Sequence, residues 1–275
     1  MAARVVDTGT DVVRIEVDDG VAIITLNRPD RRNALHRDMY APIMHALTQF
    51  ATDDDVGCIV VTGAGQGFCA GGDVRDGRRP RDEAPPTIEA AAASLLADAQ
   101  VSRLLHESPK ITLAAVNGAA VGAGMSIALA CDLRIMASSA ALIPGWAKLA
   151  FSGDFGGTWF LTRLIGPSRA LDVLTSNRTV SADEARSIGL TNRVAADAEF
   201  AAAWRVWATA IAHGPRAALA LTKANVAQAL AEPLATALVS ESERMVRSGR
   251  TADHREAVRA WMDKREPIFG QPPTT

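Results

Sequence analysis

Two glycine-bearing segments carry the residue pattern with the clearest chemical meaning. Gly67-Phe68-Cys69-Ala70-Gly71-Gly72-Asp73-Val74 follows an apolar run at 58–62, and residues 117–126 follow another at Ile111–Val116. Each run has the composition of a buried strand that turns into a helix, and a helix N-terminus offers free N–H groups and partial positive charge. Glycine lets the backbone approach a ligand atom closely. Two such N–H groups on one carbonyl oxygen would form an oxyanion hole, where one donor contributes about 3–4 kcal/mol of transition-state stabilisation.

Other interpretations of the glycines exist. Either segment alone is compatible with a plain tight turn. Nucleotide-binding patterns fit poorly, because the spacing G-x-G-x-x-G fails in Gly63-Ala64-Gly65-Gln66-Gly67-Phe68 and the sequence has no Gly-x-x-x-x-Gly-Lys-Ser/Thr. These two absences argue against a dinucleotide site and against nucleotide hydrolysis.

Ser126 raises the alternative of nucleophilic catalysis. Gly124-Met125-Ser126-Ile127-Ala128 comes close to the G-x-S-x-G elbow of α/β-hydrolases. Acid and base candidates follow downstream, namely Asp183, His213 and His254. The final glycine is missing and no HGGG-like motif precedes the segment, so a serine hydrolase is a minor alternative.

Asp154 is the acid with the most suggestive setting. It precedes Phe155-Gly156-Gly157-Thr158, where aspartate is a favoured helix N-cap. In an apolar pocket its pKa would instead rise, which would suit proton transfer near neutral pH. Trp146, eight residues earlier, is either a core aromatic residue or a pocket wall. The residues alone leave both roles open for Asp154.

Composition excludes several classes of partner. The 275 residues are 48% hydrophobic, and Lys+Arg (29) nearly balance Asp+Glu (31), for a net charge of −2. This balance gives no reason to expect nucleic acid or an anionic membrane as a partner. No apolar run is long enough to span a bilayer and no signal peptide is visible, so we expect a cytoplasmic protein.

The cysteines and histidines show no metal-binding pattern. Three cysteines, Cys58, Cys69 and Cys131, are an odd number without CxxC or Cys/His spacing. The five histidines are scattered along the chain. We therefore expect neither a disulfide framework nor a metal site.

The surrounding pattern predicts the elements that hold these residues. Two β-branched runs, at 12–17 and Val21–Leu26, predict a hairpin across Asp-Asp-Gly. A helix is expected at 88–106 and a last strand at 189–194. A strand–strand–helix rhythm recurs in the first half and indicates a spiral of repeated units. Beyond Phe155 the pattern is mostly helical, and we divide the chain into a core at 1–208 and a helical region at 209–275.

Several motifs, in order over about residues 12–268, resemble the enoyl-CoA hydratase/isomerase (crotonase) family. The two glycine segments carry most of the resemblance. The further matches are Asn27-Arg28-Pro29 with Asn33-Ala34-Leu35, Asp154-Phe155-Gly156-Gly157-Thr158, and Lys264-Arg265. The resemblance implies an α/β fold, a spiral of ββα units with a C-terminal helical region that builds trimers or hexamers.

The resemblance also implies roles for single residues. Gly72 and Ala123 would donate the two N–H groups of the oxyanion hole to an acyl-CoA thioester. The residues that would line the substrate are Arg28, Ala34, Leu35, Ala70, Asp73, Val74 and Trp146, with Trp261 and Lys264 covering the CoA from the C-terminal helix. No cofactor is implied, because coenzyme A belongs to the substrate.

One departure from the family pattern bears on the reaction. Hydratases of the family carry two glutamates, and the matching positions here hold Ser126 and Trp146, neither of which is a carboxylate base at neutral pH. Asp154 matches the single acid of isomerase-type relatives. We therefore expect an isomerase that acts on an enoyl-CoA or an aryl-derived acyl-CoA. Hydration is the alternative, and the minor ones are a non-catalytic acyl-CoA binder and an aryl-CoA dehalogenase.

Overall fold

The structure is a computed structural model that describes residues 3–73 and 85–270. These residues form ten strands: β1 (Arg4–Val6), β2 (Val13–Asp18), β3 (Val21–Leu26), β4 (Cys58–Gly63), β5 (Ile111–Val116), β6 (Ala120–Val121), β7 (Leu133–Ala137), β8 (Ala141–Ile143), β9 (Val180–Ser181) and β10 (Arg193–Ala195). They also form eleven α-helices: α1 (Arg37–Thr52), α2 (Ile88–Asp98), α3 (Gln100–Glu107), α4 (Ala123–Ala130), α5 (Gly157–Ile165), α6 (Pro167–Ser176), α7 (Ala182–Ser187), α8 (Phe200–Ala212), α9 (Arg216–Ala229), α10 (Leu234–Ser248) and α11 (Ala252–Asp263).

A seven-stranded sheet is the centre of the fold, in the order β1-β2-β3-β4-β5-β7-β10. The predicted hairpin is its antiparallel pair β2–β3, and every pairing from β3 to β10 is parallel. Strands β4 and β5 are almost entirely buried, as their apolar sequences require for strands covered on both faces. Because β4 and β5 are adjacent and parallel, the glycine segments that follow them leave the same edge of the sheet.

A small second sheet, in the order β6-β8-β9, lies beyond that edge. Strand β6 belongs to the second glycine segment and pairs in parallel with β8. Helix α4 begins directly after β6, and all eight of its residues are buried. The second sheet therefore fixes where the N-terminus of α4 lies.

The C-terminal helices differ in their burial. Helix α8 buries Phe200, Trp204 and Ala208 in the core and runs through position 208, so the division at that position stays a prediction. Helices α9 and α10 bury no residue fully, and a cleft of about 510 Å³ lies between them. Their exposed apolar side chains include Val226, Leu230, Leu234, Leu238 and Met245.

Two predicted elements need correction. The helix expected at 88–106 is interrupted at Ala99, where α2 ends and α3 begins. Helix α3 buries Val101 and Leu105 whereas α2 buries nothing, so the two helices have different environments. The last strand begins at Arg193 rather than Gly189, because the Leu190 and Thr191 amides donate to the Ala185 carbonyl instead of a strand neighbour.

Candidate active site

The two glycine segments lie side by side and are joined by main-chain hydrogen bonds. The Val121 amide donates to the Cys69 carbonyl over 2.8 Å, and the Cys69 amide donates to the Ala119 carbonyl over 3.2 Å. On the other side, the Leu35 amide donates to the Gly71 carbonyl over 2.8 Å. The first segment is thus held between residue 35 and residues 119–121.

The direction of the Gly72 N–H follows from these bonds. The described residues contain no cis peptide, and in a trans peptide the carbonyl and the next N–H point in opposite directions. Since the Gly71 carbonyl points at Leu35, the Gly72 N–H points away from Leu35. Within residues 3–73 and 85–270 this N–H donates to no protein acceptor.

Ala123 offers the second N–H. It is the first residue of α4, and the Gly122 carbonyl before it accepts the Ser126 amide over 3.0 Å, along the helix. The Ala123 N–H therefore points out of the helix N-terminus, where no intrahelical acceptor exists. A Cβ built on Gly71 would lie 3.7 Å from the Ala123 nitrogen, so this amide directly adjoins the Gly71–Gly72 segment.

Gly71 and Gly72 have different backbone requirements. Gly71 has φ +86°, and a Cβ there would lie 2.9 Å from the Val121 carbonyl oxygen. Gly72 is exposed, and a Cβ built on it would meet nothing within 4 Å among the described residues. Gly71 is thus required by the turn, whereas a side chain at Gly72 would meet none of the described residues.

The pair gives a first prediction. Gly71→Ala is expected to lower the free energy of unfolding by about 2 kcal/mol, because it combines a left-handed backbone with a backbone contact. Gly72→Ala is the matched control and should unfold like the parent protein in urea. Equal stabilities for Gly71→Ala and the parent protein would contradict the requirement for glycine at this turn.

Asp154 reaches this region through Trp146. The Trp146 indole Nε1–H donates to Asp154 Oδ1 over 2.9 Å. The Asp154 carbonyl accepts the Gly157 amide over 3.0 Å, and the two residues between them both have positive φ, +50° at Phe155 and +79° at Gly156. This tight turn presents the carboxyl group toward the indole.

The helix-cap interpretation of Asp154 is wrong. The N-cap of α5 is Gly156, and no side chain caps that helix. Burial, as the larger cause, raises the pKa of Asp154, and the Trp146 hydrogen bond opposes the rise. The carboxyl group is therefore partly desolvated, and its proton affinity is higher than that of an aspartate in water.

Trp146 connects the carboxyl group with the N-terminus of α4. It is only 6% exposed, and its Nε1 lies 3.7 Å from a Cβ built on Gly122, the residue before Ala123. A Cβ on Gly157 would lie 2.6 Å from the indole Cη2, so this glycine is needed for the ring to fit. Asp154, Trp146 and the first amide of α4 are thus neighbours.

Ser126 is not placed as a nucleophile. Its side chain is fully buried, and its hydroxyl donates to the Asp154 carbonyl oxygen over 3.0 Å. A Cβ on Gly157 would lie 2.5 Å from this hydroxyl, so Gly157 packs directly against it. Its hydroxyl instead joins α4 to the turn that carries Asp154.

The predicted CoA-binding residues of the first loop are held together by Arg28. Its guanidinium donates to the Ala34 carbonyl over 2.9 Å and forms an ion pair with Asp73 at 2.9 Å. Ala34 and Leu35 are buried, and the Ala70 amide donates to the Arg32 carbonyl. Val74 lies outside the described residues.

The two C-terminal candidates are not brought to the site. Trp261 on α11 is 81% exposed, and Lys264 caps the end of that helix with φ +55°. Among the described residues, no hydrogen bond or ion pair joins either of them to the glycine segments. In the described part of one chain, these two residues are therefore not tied to the other candidates by polar contacts.

Two asparagines hold these segments together, a role that the sequence motifs did not assign to them. Asn33 is fully buried, has φ +56°, and donates to the Ala64 and Gly67 carbonyls. Asn117 donates to the Gly65 and Gly67 carbonyls and accepts the Gly63 amide. The sequence signal for this role is an asparagine beside a glycine-rich segment, because the side-chain amide can pair with backbone groups that tight loops leave without partners.

The chain is similar to known proteins over most of its length. Residues 16–272 match the family described as enoyl-CoA hydratase/isomerase. A 1,2-epoxyphenylacetyl-CoA isomerase of Escherichia coli is 36% identical over 92% of this chain and 96% of its own. A 4-chlorobenzoyl coenzyme A dehalogenase of Arthrobacter is 33% identical over 86% of this chain and 85% of its own.

Solved structures show the same architecture. An enoyl-CoA hydratase from Polaromonas is 31% identical, covers 93% of this chain and 98% of its own, and superposes with a TM-score of 0.86. The predicted α/β spiral of ββα units with a helical C-terminal region is thereby confirmed. Together with the family match over residues 16–272, these similarities show that the chain belongs to the enoyl-CoA hydratase/isomerase (crotonase) family.

Proposed function

We propose that this member of the family is an acyl-CoA isomerase that moves a proton with Asp154. The observation that carries the proposal is the carboxyl group of Asp154, held by Trp146 beside the first amide of α4. The Gly72 and Ala123 N–H groups hold the thioester oxygen, and coenzyme A is the only carrier that the reaction needs. The candidate substrates are an enoyl-CoA and an aryl-derived acyl-CoA.

The geometry supports a reaction in two proton transfers. The Asp154 carboxylate removes a proton from C2 of a 3-enoyl-CoA, and the electron pair moves to the thioester oxygen as a dienolate. The two N–H donors stabilise that negative charge. The same carboxyl group then returns the proton to C4, which leaves a 2-enoyl-CoA and regenerates the carboxylate.

The surroundings of Asp154 favour isomerisation over hydration. Ser126 and Trp146 occupy the positions where the resemblance expects the two glutamates of a hydratase. The Ser126 hydroxyl already donates to the Asp154 carbonyl and the Trp146 N–H to its carboxylate. Among the described residues, no second carboxylate bonds to either side chain. Hydration would thus require another residue to position the water.

A panel of CoA thioesters tests the proposal. The purified protein is incubated with 2-enoyl-, 3-enoyl- and aryl-acetyl-derived CoA esters, and the products are analysed by mass spectrometry after chromatography. Isomerisation gives a product of unchanged mass and altered retention time. Gain of one water from the 2-enoyl ester would favour the hydratase, and thermal stabilisation by acyl-CoA without any product would favour a binding protein.

A dehalogenase is the less favoured alternative for this Trp–Asp pair. In the dehalogenase pattern a histidine on the preceding helix assists, and the matching place here is near Ala99. His106 lies on α3 and contacts the rings of Trp159 and Phe160, at centroid distances of 5.1 and 5.4 Å. Halide release from a 4-halobenzoyl-CoA would favour this reaction nonetheless.

Serine hydrolysis conflicts with the burial of Ser126. A fluorophosphonate probe provides the direct test, because it labels an activated serine stoichiometrically. Labelling at Ser126 would support the hydrolase, and its absence together with isomerase turnover would support the present proposal.

Trp146→Phe gives a second prediction, on pH dependence. The indole N–H stabilises the charged carboxylate, so its removal lets the pKa of Asp154 rise further. The acidic limb of the kcat/KM profile should therefore move to higher pH, because the base form is lost at a higher pH. Trp207→Phe on α8, whose ring lies 3.9 Å from the Arg193 guanidinium, is the control and should leave the limb in place. If the acidic limb of Trp146→Phe matched that of the parent protein, the indole would have no effect on the titration of the catalytic base.

Oligomerisation belongs to the same proposal. The exposed apolar side chains of α9, α10 and α11 are suited to contacts between copies in a homotrimer or hexamer. Trp261 and Lys264 would then cover the CoA of a neighbouring copy. Sedimentation equilibrium measures the assembly state, and a monomer active at full rate would argue against a contribution from neighbouring copies.

The described helices were also compared with the length and hydropathy of a membrane span. None of them has the combination of length and apolar character that crossing a bilayer requires.

A further inference from the structure

Arg134 is a buried cation whose hydrogen-bond partners are main-chain carbonyls. It lies on β7 and is 3% exposed. Its Nε donates to the Leu190 carbonyl over 2.7 Å, and its Nη1 donates to the Cys131 carbonyl over 2.6 Å and reaches the Leu129 carbonyl at 3.5 Å. In the described part of the chain, no carboxylate lies within ion-pair distance of this guanidinium. A buried charge without a counter-ion is costly, so other groups must stabilise this guanidinium.

The carbonyls that accept from Arg134 lie where they can stabilise its positive charge. Leu129 lies in the last turn of α4 and Cys131 is its C-cap, where carbonyls lack helical partners and negative partial charge accumulates. The first amide of the same helix is that of Ala123. A single helix of about 12 Å therefore has the oxyanion donor at one end and a fixed positive charge at the other.

The neighbouring charges do not cancel this one. Asp132 is the nearest carboxylate along the chain, and it is paired with Lys223 over 2.7 Å. Its Oδ2 also accepts the Thr112 amide and hydroxyl. The Asp132–Lys223 pair is neutral as a unit, so the guanidinium provides the net charge behind α4.

We propose that Arg134 is a positioning residue for the oxyanion hole. Its guanidinium neutralises the negative partial charge at the C-terminus of α4. The positive partial charge at the N-terminus then stabilises the thioester oxygen without being offset by the other end of the helix. Its bonds to Leu190 and Cys131 also fix the helix relative to β7 and the loop after α7. This inference depends on the proposed function, because it assigns Arg134 a part in stabilising the same enolate.

The test compares a neutral variant with a charged one. Arg134→Gln should lower kcat about fivefold with little change in KM. The reason is that a unit charge about 12 Å away, across a poorly screened interior, stabilises the negatively charged enolate more than the neutral ground state. Arg134→Lys keeps the charge and should recover most of kcat. Val173→Ala, a core truncation on α6, controls for a general loss of thermal stability.

An infrared measurement distinguishes polarisation from structural support. Butanoyl-CoA with a ¹³C-labelled carbonyl is bound to each protein, and the carbonyl stretch is compared with that in water. The parent protein should lower the frequency, Arg134→Gln should lower it less, and Arg134→Lys and Val173→Ala should behave like the parent. A parent protein without any shift would contradict the oxyanion hole itself. A shifted parent with an unchanged Arg134→Gln spectrum would overturn only the role of Arg134.

Discussion

Asp154→Asn is expected to reduce kcat by on the order of 10³-fold while the Kd for acyl-CoA stays nearly constant. The amide keeps an oxygen that accepts the Trp146 indole N–H, so the local geometry is preserved. It cannot remove a proton from the substrate, which is the step assigned to the carboxylate. In the proposed mechanism the thioester oxygen still meets two N–H donors in this variant, so we expect binding to be retained.

The measurement pairs steady-state kinetics with calorimetric titration of acyl-CoA. Asp183→Asn, an exposed aspartate in the first turn of α7, is the control and should turn over normally. Unchanged turnover in Asp154→Asn would remove this residue from the mechanism. Lost affinity in that variant would instead indicate a binding role.

The same variant should not lose stability at neutral pH. Burial raises the pKa of Asp154 above that of the unfolded chain, so the charged form opposes folding at pH values above the unfolded pKa. The asparagine removes that opposition. Its thermal midpoint should equal or exceed that of the parent near neutral pH, and the difference should vanish as the pH falls and the carboxyl group becomes protonated.

Ala123→Pro is expected to lower kcat/KM by about 10²- to 10³-fold, the effect of deleting one oxyanion donor. Proline removes the N–H and is tolerated at the first position of a helix, where that N–H has no helical acceptor. The preceding Gly122 has φ +52° and ψ −122°, outside the α region that proline disfavours in its predecessor. The fold should therefore survive the loss of this one donor.

Ala252→Pro is the matched control, because Ala252 is the first residue of α11 and follows its N-cap Thr251. It should retain kcat/KM. Circular dichroism and thermal unfolding of both variants check that α4 and α11 remain folded. Full activity in a folded Ala123→Pro variant would show that this amide does not hold the transition state.

Much of the fold was predictable because its signals are local. The apolar runs that became β3, β4 and β5 are β-branched and short, and such residues favour strands. The break at Ala99 was not predictable, because alanine-rich helical sequence continues through it and only packing of α3 on the core separates the two helices.

The candidate site divides in the same way. Short motifs predict Gly72, Ala123 and Asp154 as site residues, and the structure brings their segments together through β6, Trp146 and the Asp154–Gly157 turn. The contacts of Arg28 were not predictable, since its partner Asp73 is 45 residues away along the chain and pairs with it only after the two loops meet.

The sequence by itself determined the family and the strands that precede the glycine segments, and it singled out Asp154 as the candidate acid, because motif spacing and apolar periodicity are local properties of the chain. Only the tertiary structure decided which carbonyls receive the Ser126 hydroxyl and the Arg134 guanidinium, and that Asp154 accepts from Trp146 rather than capping α5. The physical reason is that hydrogen-bond direction and desolvation depend on groups that are distant in sequence and become neighbours only when the sheets and helices pack.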